Sequence, residues 1–123
     1  MKDQKLFTWD KTYKTKSLKF AHQIPFIRQL ILNNVNKKAL KKVYLFGSYA
    51  YGRPHKQSDV DLCIVIGDKY NVDDYYDSVG RAFVENKITS FDLLIYNEEY
   101  FNDPYNEKGL EATIAKKGIL LYG

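Results

Sequence analysis

Apolar and polar positions recur along this chain with two different periods, and the switches between them outline its elements. From Pro25 onward, Phe26, Ile27, Leu30, Ile31 and Val35 return at helical spacing, with Pro25 suited to a first turn. The pattern predicts a helix that ends near the lysines of 37–42, whose charge favours a helix C-terminus. Val43-Tyr44-Leu45-Phe46 is a short apolar run closed by Gly47 and reads as a buried strand. Gly47–Ser58, rich in Gly, Ser and polar residues, predicts a short helical turn and then a loop. Asp59–Ile66 predicts a second strand, closed by Gly67-Asp68, and Val72, Tyr75, Tyr76, Val79, Phe83 and Val84 mark an amphipathic helix over 72–86. Ile88–Tyr96 reads as a third strand with Asp92 inside it. Glu107–Lys117 reads as a helix stopped by Gly118, and Ile119–Tyr122 as a last edge strand. Residues 1–20 lack a clean period, so 1–24 reads as a loosely held extension. Strands alternating with helices predict an α/β (α+β) class: a small mixed β-sheet flanked by helices.

Composition narrows the picture. The 123 residues, 45% hydrophobic and 28% charged, suit one domain with a single core, 1–123, and no Pro/Gly/Ser-rich linker or repeat divides them. A single cysteine makes neither an internal disulfide nor a cysteine zinc site. The longest apolar run, Leu62–Ile66, has five residues, against the roughly 18 that span a bilayer. No apolar stretch follows the N-terminal charges, so no secretory signal is predicted and the cytoplasm is the expected compartment. The net charge of +4 hides an asymmetry. Residues 1–42 carry 11 Lys/Arg and 2 Asp/Glu, giving +9, while the rest carry 8 and 13, giving −5. A basic segment on an acidic body either steers a polyanion or acidic partner or is a solvated helix face and tail. The 11 tyrosines are scattered through the chain, which suits packing and interfaces more than a stacking platform for bases, and leaves direct nucleic-acid binding open.

The chemistry lies in three carboxylates. Asp59 and Asp61 stand two apart on a predicted strand, so both project from one face of a segment otherwise built of Val, Leu, Ile and Cys. Burying them is costly unless something pairs with them, and no Lys or Arg lies in that strand. Mg²⁺ is a natural partner, because it takes hard oxygen ligands from a few carboxylates and then from substrate phosphates. Asp92 repeats the anomaly on another strand, and neighbouring strands would bring all three together. Upstream, Gly47 permits close approach of a phosphate to the backbone, and Ser48 offers a hydroxyl and an N–H. A phosphate contact ahead of paired carboxylates suits phosphoryl or nucleotidyl transfer.

Gly47-Ser48, ten residues, then Asp59-Val60-Asp61 resembles the signature of minimal nucleotidyltransferases (MNT) in the DNA polymerase β superfamily. The extended form of that signature has a glycine and an arginine inside the spacer and a serine before the first aspartate, here Gly52, Arg53 and Ser58. Asp92, in an Asp-Leu-Leu strand, sits where the family places its third carboxylate, and the resemblance runs over about 25–122 to the Gly118–Tyr122 ending. The resemblance implies a polymerase β-like fold and a mechanism. Ser48 and nearby N–H groups hold the β/γ-phosphates of a nucleoside triphosphate. Asp59 and Asp61 bind two Mg²⁺ ions, with Asp92 helping to hold the second. Asp92 also takes the proton of the acceptor hydroxyl. That oxygen attacks the α-phosphorus and pyrophosphate leaves.

Larger relatives carry an extra helical domain that shapes the acceptor pocket, and 123 residues are expected to leave no room for one. The chain is most similar in size and motif form to MNT antitoxins. These are encoded beside a helical HEPN ribonuclease toxin and silence it by moving AMP from ATP to a toxin tyrosine. No Arg-x4–6-His pattern is present, so the chain does not read as the toxin member. Two other readings stand beside this one: an antitoxin that acts by occlusion, and transfer to a small antibiotic-like acceptor.

The same residues have plainer readings. Gly47-Ser48 alone could be a strand-ending turn, and Asp59 an N-cap, although neither accounts for Asp61 and Asp92. Arg53 and Lys56 are either triphosphate contacts or solvated loop charges, and Ser58 either a ligand or a turn cap. His22 and His55 read as surface residues, Cys63 as a small buried apolar residue, and Trp9 as an anchor of the N-terminal segment or part of an interface.

Overall fold

The structure, a computed structural model, describes residues 5–6, 24–51, 59–88, 90–106 and 109–123. Helix α1 (Ile24–Asn34) buries Ile24, Ile27 and Ile31 along one stripe. It stops at Asn34, short of the lysines expected to end it. The Asn34 Nδ2 turns back to donate to the Leu30 carbonyl at 2.8 Å. The Asn36 Oδ1 accepts from the Lys38 N–H at 2.9 Å, while its carbonyl accepts from the N–H groups of Ala39 and Leu40. Short amide side chains that compete for backbone groups override the charge preference. Lys41 and Lys42 therefore fall in strand β2 (Leu40–Phe46), which begins three residues before the apolar run.

A short helix, α2 (Ser48–Tyr51), follows the β2 end, and β3 spans Val60–Ile66, leaving Asp59 just outside the strand. Helix α3 (Val72–Glu85) starts at Asn71, whose side chain accepts from the Asp73 N–H at 2.8 Å, and its first turn carries Asp73 and Asp74, as a helix N-terminus favours. Strand β4 is Phe91–Asn97, three residues later than the periodicity suggested, and Ile88 instead packs in the core before it. Helix α4 (Glu98–Phe101) and a 3-10 turn (Pro104–Asn106) come next; neither has a sequence period long enough to be seen. Helix α5 (Leu110–Lys117) ends at Gly118, and β5 is Ile119–Tyr122.

The sheet order is β1-β5-β2-β3-β4, where β1 is Lys5–Leu6. β1 runs parallel to β5 and β4 parallel to β3, while the β5–β2 and β2–β3 pairs are antiparallel. β5 is thus flanked on both sides along part of its length. The pleat sorts side chains onto two faces. Val43, Leu45, Leu62, Ile64 and Ile95 point toward Ile27 and Ile31 of α1 and Val79 and Phe83 of α3. Tyr44, Phe46, Cys63, Val65 and Leu120 face Ile114 of α5 and Phe101 of α4. Each fully buried side chain of this size contributes about 1.5–3 kcal/mol. Among the described residues no helix is long and apolar enough to cross a membrane.

Candidate active site

Three backbone features meet at one end of the sheet. Strand β2 ends at Phe46, which pairs with Asp61, and Asp61 pairs in parallel register with Asp92. The Val60 N–H donates to the Ser90 carbonyl at 3.0 Å, fixing the start of β3 against the approach to β4. Ser90 thus helps set which residues lie side by side, a role with no sequence signal.

Gly47 then turns the chain at φ +73°, a left-handed conformation that glycine adopts without penalty. A Cβ built there would overlap the Asp61 Oδ2 and lie 2.9 Å from its Cγ. The glycine is therefore required twice, by its φ and by the carboxylate packed against it. Half-buried Ser48 opens α2 directly after this contact.

The electrostatics follow from this placement. Asp92 and Asp59 are exposed, while Asp61 is partly buried between them and Gly47. Burial, reinforced by the charges of Asp92 and then Asp59, pushes the Asp61 carboxyl up from 3.8 to about 6. Three like charges thus share one field, and a divalent cation is the chemistry that relieves it. Among the described residues no three His, Cys, Asp or Glu side chains already form a ready-made metal cluster. The carboxylates are neighbours by register and field, with no closed cage.

Among the residues singled out from sequence, the structure thus brings Gly47 against Asp61 and Asp61 beside Asp92, with Asp59 at the strand entrance and Ser48 after the glycine. Gly52, Arg53, His55, Lys56 and Ser58, like Trp9 and His22, lie outside the described residues. Cys63 is fully buried two residues beyond Asp61, and burial pushes its thiol up, so it stays protonated and serves as packing. A hollow of about 490 Å³ lined by Pro25, Arg28, Gln29 and Leu120–Gly123 lies beside β5 and includes none of the carboxylates.

Comparison with known proteins gives this arrangement a context. The sequence model of the family described as "Polymerase beta, Nucleotidyltransferase" matches residues 27–123. Over 64 residues the chain is 33% identical to the protein adenylyltransferase MntA of Shewanella oneidensis, a match covering 52% of this chain and 40% of that protein. The chain thus spans about two fifths of the curated relative it matches. A crystal structure of a candidate nucleotidyltransferase from Sulfolobus solfataricus superposes with a TM-score of 0.51 at 25% identity, over 85% of this chain and 78% of that one. A toxin–antitoxin structure with AMP-PNP has a TM-score of 0.55 at 23% identity, over 79% and 70% of the two chains, and shares the fold. A mutant MntA–HpeT toxin–antitoxin does so at 0.52 and 19%, over 80% and 72%.

Proposed function

The chain belongs to the polymerase beta nucleotidyltransferase family, and from that premise we propose that it moves the AMP group of ATP onto a protein acceptor, a tyrosine of a partner HEPN-type ribonuclease toxin in the cytoplasm. The observation that carries this reading is the register that sets Asp61 beside Asp92 with the Asp61 carboxylate packed against Gly47. The likeness to an adenylyltransferase supports the choice of AMP and of a protein acceptor.

Asp59, Asp61 and Asp92 are the residues suited to hold two Mg²⁺ ions, whose hard-oxygen preference fits three carboxylates and whose charge, when bound, neutralises phosphate oxygens. The carboxylates confine the triphosphate to the end of the sheet where β2 stops and β3 and β4 begin. The left-handed turn at Gly47 presents Ser48 beside the carboxylates, and the Ser48 hydroxyl and N–H donate to the phosphate oxygens. Arg53 and Ser58 belong to the same reading as further phosphate contacts. Asp92, exposed at the edge of the group, accepts the proton of the incoming tyrosine hydroxyl. The phenolic oxygen forms its bond to the α-phosphorus as the bond to the bridging oxygen breaks, and the electron pair leaves with pyrophosphate.

The test is intact-mass spectrometry of the partner after co-expression or incubation with ATP and Mg²⁺. Each transferred AMP adds about 329 Da, as displacement of pyrophosphate at the α-phosphorus requires. The gain should coincide with loss of ribonuclease activity and should vanish with Asp59→Asn. A partner that is silenced without gaining mass, equally well by Asp59→Asn, would establish occlusion in place of transfer.

A further inference from the structure

The end of the sheet opposite the carboxylates is a braced platform carrying both signs of charge. At the β3 exit the Gly67 N–H donates to the Ala39 carbonyl at 2.8 Å, tying this turn to the α1–β2 turn. The Asn97 Nδ2 donates to the carbonyls of Gly67 and Tyr70, both at 2.9 Å. The Asp68 Oδ1 accepts from the Glu99 N–H at 2.8 Å, fastening α4 to the same place. Three turns distant in sequence are thus held as one surface. From Asp61 to Ile66 the strand advances about 17 Å, so this surface is well removed from the candidate active site.

Its charges grade from a lysine-rich side to a wholly acidic one. Lys38, Lys41 and Lys69, all exposed, outnumber Asp68 and Glu98 in a hollow that also holds Tyr70. The adjoining hollow, which shares Asp68 and Glu98 with the first, is lined by Glu99 and Asp103 together with Pro104. Next to the acidic half, Tyr105 is 95% exposed on the 3-10 turn. Exposed aromatic side chains rimmed by charge mark protein interfaces more than open solvent surface. A nucleic acid would need one sign of charge, and the acidic half repels it.

We propose that this platform is the contact face of a symmetric homodimer. A two-fold axis lays the lysine half of one copy on the acidic half of the other, and the reciprocal contact follows by symmetry. Tyr105 of each copy then reaches the lysines of its partner, where an aromatic face attracts ammonium groups. Both carboxylate ends point away from the axis, so dimer formation leaves both sites open to acceptors. Such a dimer forms whether or not the chain carries out the reaction proposed above.

Sedimentation equilibrium at low salt tests it with the full chain. The expected mass rises with concentration from the 14.4 kDa of one chain toward twice that value, and high salt reverses the rise. Lys41→Glu alone should weaken association by roughly tenfold or more, because it places like charges together twice. Lys41→Glu with Glu99→Lys in one chain should restore it, since Glu99 is exposed and lines only the acidic hollow. Unchanged melting temperature and circular dichroism verify the fold of each variant, and Lys41 and Glu99 are both exposed. A wild-type chain that stays monomeric throughout, or a dimer indifferent to Lys41→Glu, would overturn the proposal. So would a double variant no better than the single one.

Discussion

At Asp61 a carboxylate is partly buried against Gly47 with two other carboxylates in its field, and this position makes its protonation informative. Its pKa is raised from 3.8 to about 6. Between those values the folded chain holds a proton that the unfolded chain has lost, so the metal-free protein loses stability as pH rises through that window. Asp61→Asn removes the cost and should raise the metal-free melting temperature at neutral pH, by calorimetry, while reducing transfer by roughly three orders of magnitude. A variant that melts lower at neutral pH would show that the charge is already compensated. Ser48→Ala should cost only about 1 kcal/mol of phosphate binding, since backbone N–H groups remain. Gly47→Ala meets both a positive φ and the Asp61 carboxylate; denaturant unfolding should show a loss of about 2 kcal/mol or more. The residue scale is also where the sequence was most legible. Charged side chains in runs of Val, Leu and Ile stand out without any structure. Their pairing does not: nothing in the chain states that Asp61 faces Asp92, because register across a parallel crossover depends on contacts such as that between Val60 and Ser90.

At the element scale, β2, β3, the α3 stripe and β5 were readable because each buries a face with a clear period. The elements that escaped have none. β1 contributes two residues, and α4 rests on burial of Phe101 and the Asp68 contact rather than on a repeating pattern. Helix α1 ends before the lysines because asparagine amides outweigh lysine charge. Two further side-chain contacts guard the sheet. The Arg28 Nε donates to the Leu121 carbonyl at 2.6 Å, and the Tyr76 hydroxyl accepts from the Ile95 N–H at 2.9 Å. Both occupy backbone groups in β5 and in the terminal strand β4, groups that would otherwise invite a foreign strand. Tyr76→Phe should cost about 1 kcal/mol in urea unfolding, and light scattering should show faster aggregation on heating. An unchanged aggregation rate would mean that the helix cover alone protects the edge.

At the scale of the whole molecule, one end of the sheet gathers Gly47, Ser48 and three carboxylates, and the function proposed above takes its acceptor from another protein. Mg²⁺ with ATP should raise the melting temperature, since ligands of the native state stabilise it by mass action. The gain should fade as pH falls through about 6, where Asp61 takes up a proton and can no longer hold a cation. A gain unchanged at lower pH would place cation binding elsewhere. The most direct test of transfer uses ATP labelled at either the α- or the γ-phosphate, with Mg²⁺ and the partner protein. Label should enter the partner from the α-position only, and Asp61→Asn should cut its entry by roughly three orders of magnitude. Label arriving from the γ-position, or a silenced partner that carries no label, would contradict the account.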